Sequence, residues 1–492
     1  MDFNILTELL PPNLQYRLLK DELYRKSIAE LQLVECATPF TLSALCRELK
    51  LPSLIITPRP EDARTVHEQL MAITGDENST VIFPEMETLP FERIVSDSEI
   101  THQRLSTLSN LVNYNNSRLI VIASTSAIIQ KTLSHEIFLS SSHQIRVGDR
   151  LNMEDILEKW HRMGYKMEPS VYDPGTASRR GGIIDIFPIG NSLPVRIEFW
   201  GNTVDSIRMF DSTTQRSIDF VDSILIHPAN ETLPALQKTD LLTEALEKVN
   251  MSNCTNETQK RIRNEFGLIL NNHDIDEMNF YSGFFNHGTL LDYFPDNSLV
   301  VTINPSETED MGADVLNRVA KLRKVKEQRK DLPIDFPSSY ISWKEIEGQV
   351  RRFKHQLHVI HPAELDQLPR KKILTLPFRA PPKFLGHVKS FTDEIDELYA
   401  KNYIIIVVSS HSKRLADICN QSGLSTNEAT SLTKIPRPGS ITILQSDGIG
   451  LKEGLVFYAE DAPILILTDT EIFGFTKRRR YSKRLTSRRN KL

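Results

Sequence analysis

The chain has 492 residues, 25% charged and 40% hydrophobic, long enough for roughly three or four domains with real cores and too apolar for wholesale disorder. Only 20 residues are glycine, which excludes a collagen-like or Gly-rich linker protein. The net charge of −5 hides an asymmetry: residues 477–492 hold nine of the 59 cations and none of the 64 acids, so the remainder carries 50 cations against 64 anions and is not a general nucleic-acid binder.

In chain order, residues 31–150 alternate short buried strands with helices. The runs Leu54-Ile55-Ile56, Val81-Ile82-Phe83 and Arg118–Ala123 read as strands. A helix starts near Glu61, and Ser124 or Thr125 caps another, TSAIIQKTL. This alternation predicts a parallel sheet covered on both faces. Residues 151–232 predict a small β-rich domain, with one helix ending at Gly164 and turn signals at Asp173-Pro174-Gly175, Gly181-Gly182, Gly190-Asn191 and Gly201-Asn202. Helices return in 233–345 (LLTEALEKV, TQKRIRNEFGLIL), with one strand at Leu299–Ile303. Residues 346–372 are polar and basic and read as a linker or connecting helix. Residues 373–476 form a further small α/β domain around Ile404–Val408 and Ile464–Leu467, and 477–492 a basic tail.

No catalytic apparatus is visible in the sequence. A phosphate-binding loop needs a Gly-rich turn followed by Lys, yet the dipeptide Gly-Lys occurs nowhere. The first strand-to-helix turn, Val34–Thr41, has neither residue and carries Glu35, which repels phosphate. Leu299–Ile303 runs into Asn304-Pro305 with no acid at the strand end, and Glu307 beyond it reads as solvated. Phosphoryl transfer therefore has no visible means. The histidines are scattered, and Glu85 and Glu87 in FPEMETLPFE read as structural. Cys36, Cys46, Cys254 and Cys419 lie far apart without a CxxC pair, so neither a zinc ribbon nor a disulfide scaffold is expected. No catalytic and no metal-ligating residue is assigned. There is no apolar run of the ~18–20 residues a membrane span needs, and no basic start followed by an apolar stretch, so the expectation is a cytoplasmic protein.

Two stretches are specific. Phe83–Glu92 (FPEMETLPFE) is followed by SEITHQRL, and Tyr172–Trp200 reads YDPGTASRRGGIIDIFPIGNSLPVRIEFW before GNTVDSIRMFDSTTQRS. Together with LDYFP at 291–295 and ILILTDTEIFGFTK at 464–477, they resemble the N-terminal part of the bacterial transcription-repair coupling factor (Mfd) family, which is itself similar to the excision-repair helicase UvrB. The resemblance implies an α/β fold: a degenerate RecA-like (UvrB-like) domain at 1–150 and 233–345, an inserted β-rich UvrA-interaction domain at 151–232, and a second small α/β domain. Only Arg93–Asp97 separate LPFE from the following helix, leaving no room for the damage-probing hairpin of UvrB. ATP belongs to full-length family members, and no cofactor is expected here. RNA polymerase is expected to be bound only through domains that this sequence lacks. The chain is expected to be a truncated homologue, a split gene product or a fragment.

The resemblance also implies that the β-rich domain binds UvrA at positions falling on Arg180, Arg196 and Trp200, where the family commonly has Phe in place of Trp200. Arg and Trp are favoured interface anchors. Strand parity puts Arg196, Glu198 and Trp200 on one face and Val195, Ile197 and Phe199 in the core, so truncating Arg196 or Trp200 should leave the domain folded. The alternative is an ordinary solvated strand face. Arg179 is either an additional contact or solvated. In the tail, Lys477, Arg478, Arg479, Arg480, Lys483 and Arg484 are candidates for weak DNA binding, or form part of a solvated linker. The expected function is a non-catalytic adaptor bringing UvrA to damaged DNA. The alternatives are an active UvrB-like ATP-dependent helicase subunit, or a truncated remnant without independent function.

Overall fold

The computed structural model describes residues 3–474 apart from 26–27, 77–78, 96, 114–118, 238, 274, 366–372, 447–450 and 460. The basic tail, with all six of its candidate residues, lies outside the described residues. The chain divides into two compact units: Lys50–Arg64 with Ser79–His358, and Met1–Leu49 with Thr65–Asn78 and Val359–Leu492.

The first unit is built on parallel strands in the order Leu299–Ile303, Ser53–Thr57, Ile120–Ser124, Thr80–Phe83. Three of the four are buried along their whole length, which is why they read as unbroken apolar runs. The Ile120–Ser124 strand stops where the Ser124 hydroxyl accepts the Ala127 amide at 3.2 Å and caps a helix. That helix spans only Thr125–Ile128, shorter than the sequence suggests. Gln130 and Thr132 instead form isolated bridges to Tyr340 and Gly288, and backbone pairing there wins over helix propagation. Earlier in the chain, Asp97 caps the long helix Ser98–Val112 by accepting the Glu99 amide at 2.8 Å. The short connection ahead of it is pinned by Arg93, which donates to both carboxylate oxygens of Glu265 (3.0 and 2.9 Å) and to Glu277 at 2.9 Å, with its guanidinium 3.9 Å from the Phe280 ring centre.

An inserted six-stranded sheet belongs to the same unit, in the order Ser217–Phe220, Thr203–Phe210, Val195–Trp200, Ile183–Ile186, Thr176–Arg180, Lys166–Met167. All neighbours are antiparallel except the last pair. The helix Met153–Arg162 packs Ile156 and Trp160 into the core and ends at Gly164, whose φ of +89° and 2.8 Å approach to Asn230 Cβ leave no room for a side chain.

Two buried polar clusters tie the end of the insert to the parallel sheet. Arg104 is fully buried, and its guanidinium binds Glu231 in bidentate fashion (2.5 and 3.1 Å), Pro84 O at 2.8 Å and Gln130 Oε1 at 3.1 Å. Thr132 also donates to Glu231, at 2.8 Å. Nearby, His227 Nε2 accepts from Asn113 Nδ2 at 2.8 Å, its Nδ1–H donates to Ser142 Oγ at 2.7 Å, and Phe138 stacks on the ring. This pattern requires neutral imidazole.

In the second unit, a six-stranded sheet runs in the order Phe378–Arg379, Leu455–Tyr458, Pro463–Thr468, Ile404–Ser409, Ser440–Gln445, Thr426–Ala429. The sequence-predicted strands at 404–408 and 464–467 lie at its parallel centre. Ile405, Val407, Ile443, Leu465 and Leu467 share its core with Leu415 and Ile472. The stretch 346–372, expected to be a linker or connecting helix, contains the buried strand His355–Ile360. Its polar residues hid the strand; Gln356 is satisfied locally by donating to Phe353 O at 2.9 Å, and His355 Nε2 lies 3.2 Å from Asn297 Oδ1.

Two outcomes are expected. Arg104→Ala leaves the buried Glu231 carboxyl without its guanidinium partner, and should cost about 3–5 kcal/mol, whereas Arg104→Met with Glu231→Leu should cost much less; denaturant unfolding of the single and double variants measures the difference. Burial, helped by neighbouring His143, pulls the His227 pKa down to about 4. The unfolded chain then binds a proton that the folded one refuses between pH 6.5 and 4. Stability should be full above pH 6.5 and fall as pH drops through that window, by about 2 kcal/mol at pH 5. His227→Gln should flatten that slope in unfolding curves recorded from pH 7 to 5.

Candidate partner-binding site

The site is built on two hairpins of the inserted sheet. Arg180 pairs with Ile183 across Gly181-Gly182, where Gly181 takes φ +60° and a side chain on Gly182 would press to 3.2 Å from Phe199 O. These are the backbone requirements that the sequence suggests at this turn. Pairing then fixes what lies beside what. Asp185, Arg196 and Arg208 form one cross-strand row, and Ile183, Glu198 and Ser206 the row two residues along, with Arg180 opposite Ile183. Side chains alternate across a sheet, so Arg180, Arg196, Glu198 and Trp200 share this polar face. Val195 and Ile197 point the other way and are fully buried. Phe199, expected in the core, packs only half-buried against it near the strand end.

The candidate anchors differ in what holds them. Arg196 is already engaged: Nε and Nη2 donate to the two oxygens of Asp185 at 2.7 and 2.8 Å, Nη2 donates to Gln215 Oε1 at 3.0 Å, and the guanidinium lies 4.6 Å from the Phe210 ring centre. The bonds to Asp185 hold the Arg196 pKa above its ordinary value against the opposing effect of burial. Asp185 itself is 3% exposed. The expectation that Arg196 can be removed without consequence for folding is therefore corrected, because its loss strands a buried carboxylate. Arg180 is exposed at its end of the sheet and donates to Pro169 O at 2.9 Å and Ser170 Oγ at 2.6 Å. Trp200 is 85% exposed, the most exposed large apolar side chain among the described residues. Arg179, with Ile184 as its cross-strand neighbour, lies on the opposite face and approaches Glu154 at 3.5 Å.

Sequence reading missed Asp185 and the Glu198–Arg208 ion pair, which complete the network between the anchors. The signal was a lone acid inside the apolar strand IIDI, since a buried carboxylate demands a cation across the sheet.

The places where nucleotide chemistry would be sought look different. The turn after Ala29–Gln32 is a short 3-10 turn, Glu35–Ala37, leading into the helix Thr38–Leu49. There burial, then Glu453, with Glu471 and Glu35 adding, pushes the Cys36 thiol up to about 12. Three carboxyl groups, Glu453, Glu471 and Glu35, thus act on this turn. In the other unit, Asn304 takes a left-handed conformation (φ +47°) before the helix Pro305–Gln328. Glu307, read from sequence as solvated, pairs with Arg59 at 2.5 Å and accepts from Asn304 Nδ2 at 3.2 Å. Among the described residues no cluster of His, Cys, Asp or Glu could hold a metal ion, and no helix is long and apolar enough to cross a membrane.

Residues 144–231 match the UvrB interaction domain family. The chain is 28% identical over 387 residues to the transcription-repair-coupling factor of Bacillus subtilis, an overlap of 76% of this chain and 32% of that protein. It is 24% identical over 453 residues to the factor of Haemophilus influenzae (89% and 37%), and 27% identical over 222 residues to that of Escherichia coli (45% and 19%). The chain thus spans about a third of the length of the first two relatives. It is similar to the transcription-repair coupling factors over part of their length, and its residues 144–231 match the UvrB interaction domain family.

Proposed function

We propose that this chain is a non-catalytic adaptor that binds UvrA through the polar face of the inserted sheet, in transcription-coupled nucleotide excision repair. The observation that carries the reading is Trp200, an aromatic 85% exposed within a UvrB interaction domain. A Trp side chain this exposed offers a partner a large area to bury, and Trp is among the side chains favoured as interface anchors. Arg180 supplies a guanidinium on the same face, able to exchange its local bonds for a carboxylate of the partner. Arg196 works differently from the other two: held by Asp185 and Gln215, it positions the face. Its own exposed remainder is small, and it contributes mainly by keeping the strand Val195–Trp200 in place.

The proposed lack of catalysis rests on chemistry at two strand ends. The turn Glu35–Thr41 has no Gly-Lys and carries Glu35, with Glu453 and Glu471 also acting on Cys36, and Asn304 stands where an acid would be needed to hold a metal ion. Weak DNA binding by the tail is a secondary element of the proposal, supported only by its nine cations.

Calorimetric titration of UvrA with the full chain tests the partner. Trp200→Ala should weaken binding roughly thirtyfold, a loss of about 2 kcal/mol, with an unchanged melting temperature. Arg196→Ala should weaken binding and also lower the melting temperature, because Asp185 loses its counter-charge. Absence of binding by the unaltered chain would refute the function. For nucleotide, the purified chain should show neither saturable ATPase activity nor tight ATP binding. Hydrolysis abolished by substitutions in Glu35–Thr41 would overturn the non-catalytic reading.

A further inference from the structure

The edge strand of the inserted sheet carries a feature that the proposed anchors do not use. All four residues of Ser217–Phe220 are exposed, and two of them are large and apolar: Phe220 at 65% and Ile218 at 57%. Native edge strands are normally protected by charge or proline, so an aromatic left open there calls for a reason. Pairing places Phe220 directly opposite Arg208, which in turn lies opposite Arg196. Phe220 therefore stands on the same face as Trp200 and Arg180. Trp200 lies four residues along from Arg196 and Phe220 two strands across from it. At ~3.3 Å per residue and ~4.8 Å per strand, the two aromatics are separated by about 13 Å along the sheet and about 10 Å across it. Both fit within the footprint of one partner, which typically covers on the order of 800 Å².

We infer that Phe220, with Ile218 beside it, is a second apolar anchor of the same docking face, and that one protein partner covers it together with Trp200. The inference rests on the proposed binding of UvrA. The ion pairs beside the aromatics, Asp185–Arg196 and Glu198–Arg208, satisfy most of each other's charge. The complementary surface is therefore one with two shallow apolar pockets flanking a polar strip, rather than a strongly acidic one. The edge itself argues against a second copy adding as a strand. The Phe220 amide is already bonded to Asp219 Oδ1 at 2.9 Å, and the pairing register shifts between Met209 and Phe210, where Ile218 is the extra residue. Contact is made by side chains of the face and not by extension of the sheet.

The test uses the full chain with purified UvrA. Phe220→Thr keeps strand propensity and removes the ring. It should weaken binding about tenfold without changing the melting temperature, Ile218→Thr should weaken it less, and hydrogen exchange of Ser217–Phe220 should slow when UvrA is added to the unaltered chain. Unchanged affinity in Phe220→Thr, while Trp200→Ala still weakens binding, would overturn this inference and leave the proposed function standing. Unchanged exchange across Ser217–Phe220 in the complex would overturn it in the same way, even if a substituted chain melted early. Failure of the unaltered chain to bind UvrA would overturn both. If sedimentation shows that Phe220→Thr abolishes self-association and does not affect UvrA binding, the occupant is a second copy and the inference is wrong.

Discussion

The buried contact between Arg104 and Glu231 is the constraint on which the larger unit depends. One partner comes from the helix Ser98–Val112 and the other from the point where the inserted sheet returns to the chain. Two charges removed from water cost several kcal/mol each unless every lone pair and proton is met. Here the guanidinium binds the carboxylate in bidentate fashion and also Pro84 O and Gln130, while Thr132 supplies a further donor to Glu231. Such a pair tolerates little displacement. It fixes where the insert ends relative to the parallel sheet of its own unit, and the neutral His227 between Asn113 and Ser142 adds a second tether a few residues earlier.

The same physics recurs on the inserted sheet at smaller scale. Asp185 is buried in an otherwise apolar strand, and Arg196 answers it across the sheet. The pair costs conformational freedom but sets the register of its two strands, because a one-residue slip would bury a lone carboxylate. Trp200 and Phe220 need no such partner to be tolerated in the free chain, since an exposed ring strands no polar group. Rigid polar centre and exposed aromatic flanks are a division of labour suited to a docking face: the first gives shape, the second gives area to bury.

Much was legible in the sequence because it depends on local periodicity. The runs Leu54–Ile56, Leu299–Ile303 and Ile404–Val408 are apolar on both faces, and a parallel strand covered on both sides requires that pattern. Gly164 and Gly181 announced left-handed turns that no other residue adopts easily. Alternation in Val195–Phe199 separated Val195 and Ile197 from Arg196 and Glu198. Polar strand residues defeated the same reasoning at His355–Ile360, because only a tertiary partner such as Asn297 makes burial of His355 acceptable.

In the strands with clear periodicity, the sequence alone settled which residue types lie on each face and which turns end them, since those follow from backbone sterics and a period of two or 3.6. Tertiary structure decided what each charged side chain does. Arg179, Arg180 and Arg196 are alike in composition, yet one faces Glu154, one lies open near Pro169 and Ser170, and one is held by Asp185. A guanidinium takes its role from the acceptors the fold brings to it, a neighbouring strand's carboxylate for Arg196, a loop's carbonyl and hydroxyl for Arg180 and a helix's carboxylate for Arg179, and no local pattern encodes those approaches.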